Sequence, residues 1–275
     1  MRRKKEKSGM EENIYRLPIL RSYRDKQKHV EDLLVRESSI TIFYNGRKIA
    51  TLLCTPVQIM ELAVGFLFSE GILSYFEEIK WISEDPERGI VMVEGCVENR
   101  TQQPVERVIT SGCGQGVFLF PSGEWGEDEI SIEGISLSSH WISQLIREFY
   151  KRSQLYITTG GVHSCALANE GGIIIFSEDI GRHNALDKIA GKCVMEGIAT
   201  KGSIILTTGR VSAEMVFKAR RMNATFLISR GAPTDLSVAL SQRSGITLIG
   251  FCRGERMNIY SHSERVIFRE NGEAT

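Results

Sequence analysis

The amino-terminal part of the chain alternates apolar and polar side chains with the period of β-strands. Residues 13–53 contain several short segments of this kind, and the clearest pair is 39–44 and 48–53. Between these two segments stands Asn45-Gly46, a sequence typical of two-residue hairpin turns. The pattern therefore predicts a β-rich beginning with at least one tight hairpin.

A helix is predicted directly after this hairpin. Thr55 is a candidate N-cap, Pro56 suits the first helical position, and Gln58 stands where a capping box places its second member. Gly71 is the predicted stop, since glycine commonly follows the last helical turn. The apolar face consists of residues at helical spacing: Ile59, Leu62, Ala63, Phe66 and Leu67.

Two more strands are predicted at 90–97 and 105–110, and the second leads into a glycine-rich loop at 110–116. The acidic stretch 121–134 then has the composition of a loop or linker. We place a boundary between two structural units near residue 135.

Beyond this boundary, strands alternate with amphipathic helices, which is typical of βα units around a sheet. Ser139 is the predicted cap of the first helix. The apolar positions of that helix are Ile142, Leu145, Ile146 and Phe149. Strands are predicted at 172–177, 203–207, 225–228 and 246–251, and helices at 184–196, 212–222 and 234–243.

The fold class is therefore α/β, or α+β for the chain as a whole. The predicted division is a smaller β-rich unit at 13–135, an α/β unit at 136–268, and flexible tails at 1–12 and 269–275.

Length, composition and cysteine spacing indicate the size of the core and the cellular compartment. The 275 residues suffice for two units with cores of their own. There is no apolar run of about 18 residues, so no membrane span is expected, and the basic start lacks the apolar stretch of a secretory signal. Six cysteines without paired spacing favour a reducing, cytoplasmic setting.

Charge is distributed unevenly although the formal net charge is zero. Residues 70–135 carry 14 acidic and 4 basic side chains, whereas residues 201–260 carry 9 basic and 3 acidic ones. The basic half predicts an anionic ligand such as a phosphate, unless the two halves simply attract each other. No interleaving of aromatic and basic residues indicates nucleic acid.

Cys113 is the most unusual thiol, because it lies between glycines in the 110–116 loop. Such a loop lets the backbone approach a second reactant. A reactive thiol and an inert turn filler are both compatible with this local pattern.

Four further clusters follow predicted strands or turns. Gly160-Gly161 is predicted to open a helix whose free N–H groups bind an anion, and His163 beside it is a ligand contact or a packed polar residue. In the next cluster Asp179, Arg182 and His183 are candidates for ligand binding or acid–base chemistry. The alternative is a capped turn, with Asn184 or Asp179 as the cap.

The last two clusters are basic. Arg210 and Arg230 each stand beside a glycine between a strand and a helix, an arrangement that suits phosphate. A further basic stretch follows the last predicted strand: Phe251, Cys252, Arg253, Gly254, Glu255 and Arg256. Dinucleotide-binding and P-loop motifs are absent from the sequence.

Taken together, these motifs resemble the FdhD family of sulfur carriers needed for formate dehydrogenase maturation. The resemblance extends from Glu37 to Val266. It rests on ordered matches in the segments 61–71, 110–116, 160–163, 178–188, 208–210, 229–234 and 251–256.

The resemblance implies that Cys113 accepts sulfur from a cysteine desulfurase as a persulfide. It implies that the sulfur passes to the molybdenum of bis(molybdopterin guanine dinucleotide) before this cofactor enters formate dehydrogenase. A homodimer and a second unit with the cytidine-deaminase fold are implied as well. The residues expected to contact the cofactor are 251–256, Gly160, Gly161, His163, Asp179, Arg182, His183, Arg210 and Arg230.

One position departs from the family pattern. Many relatives have a second cysteine in the loop, where this chain has Gly116, so Cys113 is expected to carry sulfur alone. Two other functions stay open. One is a chaperone that binds the cofactor without sulfur chemistry. The other is a zinc-dependent deaminase or hydrolase, for which His262 and Glu264 match only part of the signature; no metal is expected.

Overall fold

The computed structural model describes residues 13–96, 107–109, 117–119 and 135–268. Its first element is a long hairpin of strands β1 (Ile14–Tyr23) and β2 (Lys26–Val35), which pair antiparallel from end to end. The predicted short segments are thus two ten-residue strands. Arg24 and Asp25 form the turn, both with positive φ.

A four-stranded sheet follows, in the order β4-β3-β6-β5. Its strands are β3 (Ser38–Tyr44), β4 (Arg47–Cys54), β5 (Ile79–Asp85) and β6 (Ile90–Gly95). The predicted hairpin between β3 and β4 is confirmed, because Asn45 and Gly46 both have the positive φ of its turn, 49° and 72°.

Helix α1 (Ile59–Ser69) packs on one face of this sheet. Its end is as predicted, since Gly71 has a φ of 76°. Its predicted beginning is wrong: Gln58 precedes the helix in a left-handed conformation, and no side chain caps the helix. Thr55 instead donates its hydroxyl to Asp179, far along the chain.

Strands β7 (Arg107–Ile109) and β8 (Val117–Leu119) pair antiparallel, which confirms the strand predicted at 105–110. The loop between them, with Cys113, lies outside the described residues, as do the acidic stretch 121–134 and both tails.

The second unit contains a six-stranded sheet in the order β11-β10-β12-β13-β14-β15. The strands are β10 (His163–Asn169), β11 (Gly172–Asp179), β12 (Ile204–Thr207), β13 (Phe226–Ser229), β14 (Thr247–Arg253) and β15 (Arg256–Ile259). The three strands β12, β13 and β14 are parallel, and the flanking strands run antiparallel to them. A short parallel pair, β9 (Leu137–Ser138) and β16 (Val266–Ile267), lies outside this sheet.

Helices cover both faces of the sheet. Helix α2 (Ser139–Arg152) packs on one face through its predicted apolar positions, all of which are buried. Its cap is Ser138 rather than Ser139, because the Ser138 hydroxyl accepts from Trp141 N. The opposite face carries α4 (Arg182–Glu196), α5 (Ala213–Arg221) and α6 (Asp235–Arg243). The α/β class is thereby confirmed.

The Gly160-Gly161 prediction is wrong in one respect. These glycines end a short helix, α3 (Gln154–Thr159), and lead into strand β10 rather than opening a helix. Strand β10 was not predicted, because its buried residues are small or apolar and show no alternation of apolar and polar positions.

The two units meet where α1 crosses α4. A Cβ on Gly65 would lie 1.8 Å from the carbonyl oxygen of Asp187, and a Cβ on Gly191 would lie 1.8 Å from that of Glu61. Glycine at both positions therefore lets the helix backbones touch. The predicted boundary near residue 135 stays a prediction.

Candidate ligand site at one edge of the sheet

The polar clusters predicted from the sequence converge at one edge of the six-stranded sheet. The parallel strands end there, and antiparallel β10 begins there, which is where open α/β sheets commonly bind ligands. Backbone hydrogen bonds join neighbouring loops. Arg230 N donates to Thr207 O over 3.2 Å, and Phe251 N donates to Gly231 O over 3.0 Å.

Two glycines allow these loops to pack closely. A Cβ on Gly209 would lie 2.9 Å from Cβ of Arg182, and a Cβ on Gly231 would lie 2.8 Å from the carbonyl oxygen of Gly209. Ser229 fixes the contact, since its hydroxyl donates to Gly209 O and accepts from Gly231 N. The close packing at these glycines thus brings the Gly209 and Gly231 loops together and places Gly209 against Arg182.

We call this end of the sheet the basic edge, because Arg182, Arg210, Arg230, Arg253 and Arg256 lie there. Arg182, His183 and His163 form its centre. Burial lowers the pKa of His163, and the positive charges of Arg182 and Arg210 lower it further. The pKa of His183 falls to about 2, first because the ring is buried and then because Lys218, Arg182 and His163 surround it. Both imidazoles are therefore neutral at physiological pH.

The surroundings of His183 also define which ring nitrogen carries the proton. Nε2 lies 3.3 Å from Ser212 Oγ and 3.4 Å from the buried Oε2 of Glu214. A carboxylate oxygen only accepts hydrogen bonds, so the favoured tautomer has its hydrogen on Nε2. The 3.4 Å contact is then between a neutral ring and a carboxylate, whose charge Lys218 balances from 3.5 Å.

Arg230 is restrained by an aromatic ring. Its guanidinium carbon lies 4.0 Å from the ring centroid of Tyr150 on α2, which is the geometry of a cation–π contact. Tyr150 in turn meets Tyr156 edge to face. Arg230 is consequently pre-oriented beside the 251–256 stretch.

The 251–256 stretch contains the end of β14 and the turn into β15. Arg253 and Arg256 are paired across the turn, Gly254 has a φ of 60°, and these residues and Glu255 are exposed. Phe251 is half-buried at a φ of 49°. The turn thus presents two arginines to solvent.

Two of the predicted contact residues have structural roles. Cys252 is fully buried in the core under α2, and burial raises its pKa to about 11. Asp179 is also fully buried, and Thr55, Gly181, Asn184 and Lys188 all donate to its two oxygens. Both side chains are buried, and the predicted cofactor contact of each stays a prediction.

The Gly160-Gly161 turn is exposed and lies beside the first hairpin. A Cβ on Gly161 would come 2.8 Å from Cγ1 of Val35 in β2. The turn precedes His163 by two residues, so it borders the basic edge. Its helix-opening role is excluded, as described above.

The remaining cysteines are poor nucleophiles. Burial raises the pKa of Cys54, Cys165 and Cys193 to about 12 each. Cys96 is the exposed cysteine of the described part of the chain. Since the thiolate is the reactive form, the four buried thiols are packing residues.

A zinc site of the deaminase kind has no support in the geometry. His262 uses both ring nitrogens, one 3.3 Å from Glu264 Oε1 and the other 3.0 Å from Gln242 O. Across the ranges that the structure describes, no three His, Cys, Asp or Glu side chains are grouped to hold a metal.

Several residues of the site gave no sequence signal. Thr55, Tyr150 and Glu214 act through contacts with elements distant in the sequence, so no local pattern identifies them. Lys188 was included in the family motif but without a role, and it forms the buried ion pair with Asp179.

The architecture agrees with comparisons to known proteins. The model of the FdhD/NarQ family matches residues 35–267. This chain belongs to the FdhD/NarQ family. A sulfur carrier protein FdhD from Geobacillus kaustophilus is 36% identical over 254 residues, which cover 92% of this chain and 97% of the relative. The FdhD of Bacillus subtilis is also 36% identical, over 86% of this chain and 91% of its own.

A solved structure has the same fold. It is described as a formate dehydrogenase accessory protein from Desulfotalea psychrophila, with a TM-score of 0.78 and 30% identity, covering 93% of this chain and all of its own. Within the described ranges, no helix is long and apolar enough to cross a membrane.

Proposed function

We propose that this FdhD/NarQ family member is a sulfur carrier for formate dehydrogenase maturation. Cys113 receives sulfur from a cysteine desulfurase and passes it to the molybdenum of a bound bis(molybdopterin guanine dinucleotide), its substrate. The names of the relatives support the carrier role and the link to formate dehydrogenase. The main support for the proposal that the protein binds the cofactor is the basic edge of the six-stranded sheet.

This edge combines features that favour a large phosphorylated ligand. Arg210 and Arg230 lie on neighbouring loops that a backbone hydrogen bond joins, from Val211 N to Ala232 O, and Arg182 is the first residue of α4. Arginine forks match phosphate oxygens. Arg253 and Arg256 extend the donors into solvent. Because both nearby histidines are neutral, they offer hydrogen-bond acceptors for the N–H or O–H groups of the ligand.

The sulfur transfer itself is a thiol exchange. The Cys113 thiolate attacks the outer sulfur of the donor persulfide, the S–S bond of the donor breaks, and the donor leaves as a thiolate. A persulfide on Cys113 remains. The buried cysteines do not compete, because their pKa values of about 11 to 12 keep them protonated. A homodimer in the cytoplasm is part of this proposal.

The carrier role is tested by intact-mass spectrometry after incubation with a cysteine desulfurase and cysteine. The wild-type chain is expected to gain about 32 Da, one sulfur atom, on its single reactive loop thiol. Cys113→Ala should abolish the gain. Cys96→Ala, which removes an exposed cysteine from another segment, is the matched control and should keep it.

An equal mass gain in Cys113→Ala and wild type would contradict the assignment. If the wild-type chain itself gains no sulfur, the basic edge still favours the second candidate, a chaperone that binds the cofactor without carrying sulfur. Its distinguishing result is normal cofactor delivery to formate dehydrogenase by Cys113→Ala.

A further inference from the structure

The buried carboxylate of Asp179 lies directly beneath the basic edge and is bound from two sides. On one side, Oδ2 accepts from the backbone N and the hydroxyl of Thr55, both over 3.0 Å. On the other, Oδ1 accepts from Gly181 N and Asn184 Nδ2, both over 2.9 Å. Lys188 Nζ lies 2.6 Å from Oδ2 and neutralises the charge.

These contacts join parts of the molecule that are distant in sequence. Thr55 follows β4 in the first unit, and the 181–184 turn begins α4 in the second. Asn184 Nδ2 also donates to Leu53 O in β4, over 2.8 Å. One carboxylate therefore holds the turn that carries Arg182 and His183 against the end of β4.

A buried ion pair contributes little net free energy to the stability of a fold. Removing two charges from water costs free energy that their attraction only partly offsets, and replacement by uncharged side chains of similar shape is often neutral. Asp179 and Lys188 are both fully buried. The pair instead fixes the positions of the groups around it, because the Asp179 carboxylate accepts four hydrogen bonds and so orients each of their donors.

We infer that Asp179 is a positioning residue, which with Lys188 fixes Arg182 and His183 for ligand binding at the basic edge. The inference rests on the proposed function of that edge. It adds that the first unit takes part in building the site, through Thr55 and Leu53.

The test is the double substitution Asp179→Asn with Lys188→Met in the full-length chain. The pair is uncharged and keeps its shape, but asparagine has only one accepting oxygen. It can therefore hold Thr55 or the 181–184 turn, not both. With guanosine diphosphate as probe, we expect the Kd to rise about tenfold or more, while the melting temperature falls by only a few degrees because a buried donor loses its acceptor.

Amide hydrogen exchange gives a second measurement that needs no ligand. Exchange at Gly181, whose N–H is bound to Asp179, should become at least about tenfold faster in the double variant. The amide of Gly197, at the other end of α4, is the internal reference and should not change. Unchanged exchange at Gly181 overturns the inference. A wild-type protein that does not bind guanosine diphosphate refutes the proposed ligand instead, and the exchange measurement still tests the inference.

Arg221→Met is the matched control for loosening of the two units. Arg221 also joins them, by donating to the carbonyls of Phe68 and Leu73, but it is not part of the 181–184 turn. It should leave the Kd unchanged, and an equal weakening would overturn the inference. If the double variant does not fold, Asn184→Ala decides, because it removes the amide that donates to Leu53 O and to Asp179 Oδ1 and leaves Gly181 N bound to Asp179. Unchanged affinity in this variant contradicts positioning by this network.

Discussion

His183 is kept neutral by its burial and by the basic side chains that face it. Lys218 on α5, Arg182 beside it and His163 on β10 all oppose a positive charge on the ring, and burial adds the largest effect. Glu214 is the one nearby carboxylate, and Lys218 balances it. The ring thereby acts as a hydrogen-bonding group in a site otherwise made of cations.

The stability of the protein should therefore depend on His183 in acid. Its folded pKa of about 2 is far below the unfolded value near 6.5, so only the unfolded chain takes up the proton as the pH falls below 6.5. The stabilisation is complete above pH 6.5 and is lost on acidification, by up to about 1.4 kcal/mol per pH unit.

Urea unfolding at pH 7 and pH 5 measures this effect. Wild type should lose about 2 kcal/mol more than His183→Gln between these pH values. His140→Gln, at an exposed histidine on α2, is the control and should behave as wild type. Equal losses in wild type and His183→Gln would show that the ring is protonated in the folded protein.

At the scale of elements, the crossing of α1 and α4 is the tightest contact between the units. It depends on two glycines inside helices, where glycine normally destabilises by about 1 kcal/mol relative to alanine. The close approach of the backbones explains why the better helix former is not used. Ser69 on α1 adds a buried hydrogen bond of 2.6 Å to Asp187 on α4.

Gly65→Ala should destabilise the protein by about 3 kcal/mol or more, because the new methyl group would lie inside the carbonyl of Asp187 and the helices must separate. Thermal or urea unfolding measures the loss. Gly171→Ala is the control, since its Cβ would meet only the end of the Asn169 side chain, at 3.2 Å. A Gly65→Ala variant as stable as wild type would contradict the tight crossing.

The elements also show what the sequence reveals and what it hides. The β12–β14 segment was predicted to within about two residues, because buried strands and amphipathic helices alternate there in a regular way. Strand β10 was missed for lack of alternation. The start of α1 was predicted wrongly, because the Thr55 hydroxyl bonds to Asp179, 124 positions away, instead of capping the helix.

The candidate site was also predictable in part, because the regular alternation of strands and helices locates the strand ends. Arginine beside glycine at successive strand ends is a local signal, and topology brings those ends to one edge. Burial is not local. It removes Asp179 and Cys252 from the surface, although each stands next to residues of the basic edge.

At the scale of the whole molecule, four of the nine basic side chains of residues 201–260 lie at one edge of the six-stranded sheet, namely Arg210, Arg230, Arg253 and Arg256. Such a surface attracts phosphates over a distance and loses attraction as salt increases. The described side chains at this edge are thus mainly basic, whereas the formal net charge of the whole chain is zero.

Arg210→Gln and Arg253→Ala should each weaken the binding of guanosine diphosphate about tenfold, the loss expected for one charge-assisted hydrogen bond. Isothermal titration at two salt concentrations measures the affinity and its salt dependence, which should decrease in both variants. Arg47→Gln removes an equally exposed arginine from β4 and is the control. If all three variants bind as wild type does, the phosphate contacts do not lie on these loops.

The four buried cysteines have a consequence for the fidelity of sulfur handling. A persulfide exposed to several thiolates on one chain would pass its sulfur among them, and the load would be divided. Here Cys54, Cys165, Cys193 and Cys252 stay protonated within packed interiors. The fold therefore keeps these four thiols out of sulfur exchange, and Cys96 is the described cysteine that remains exposed to it.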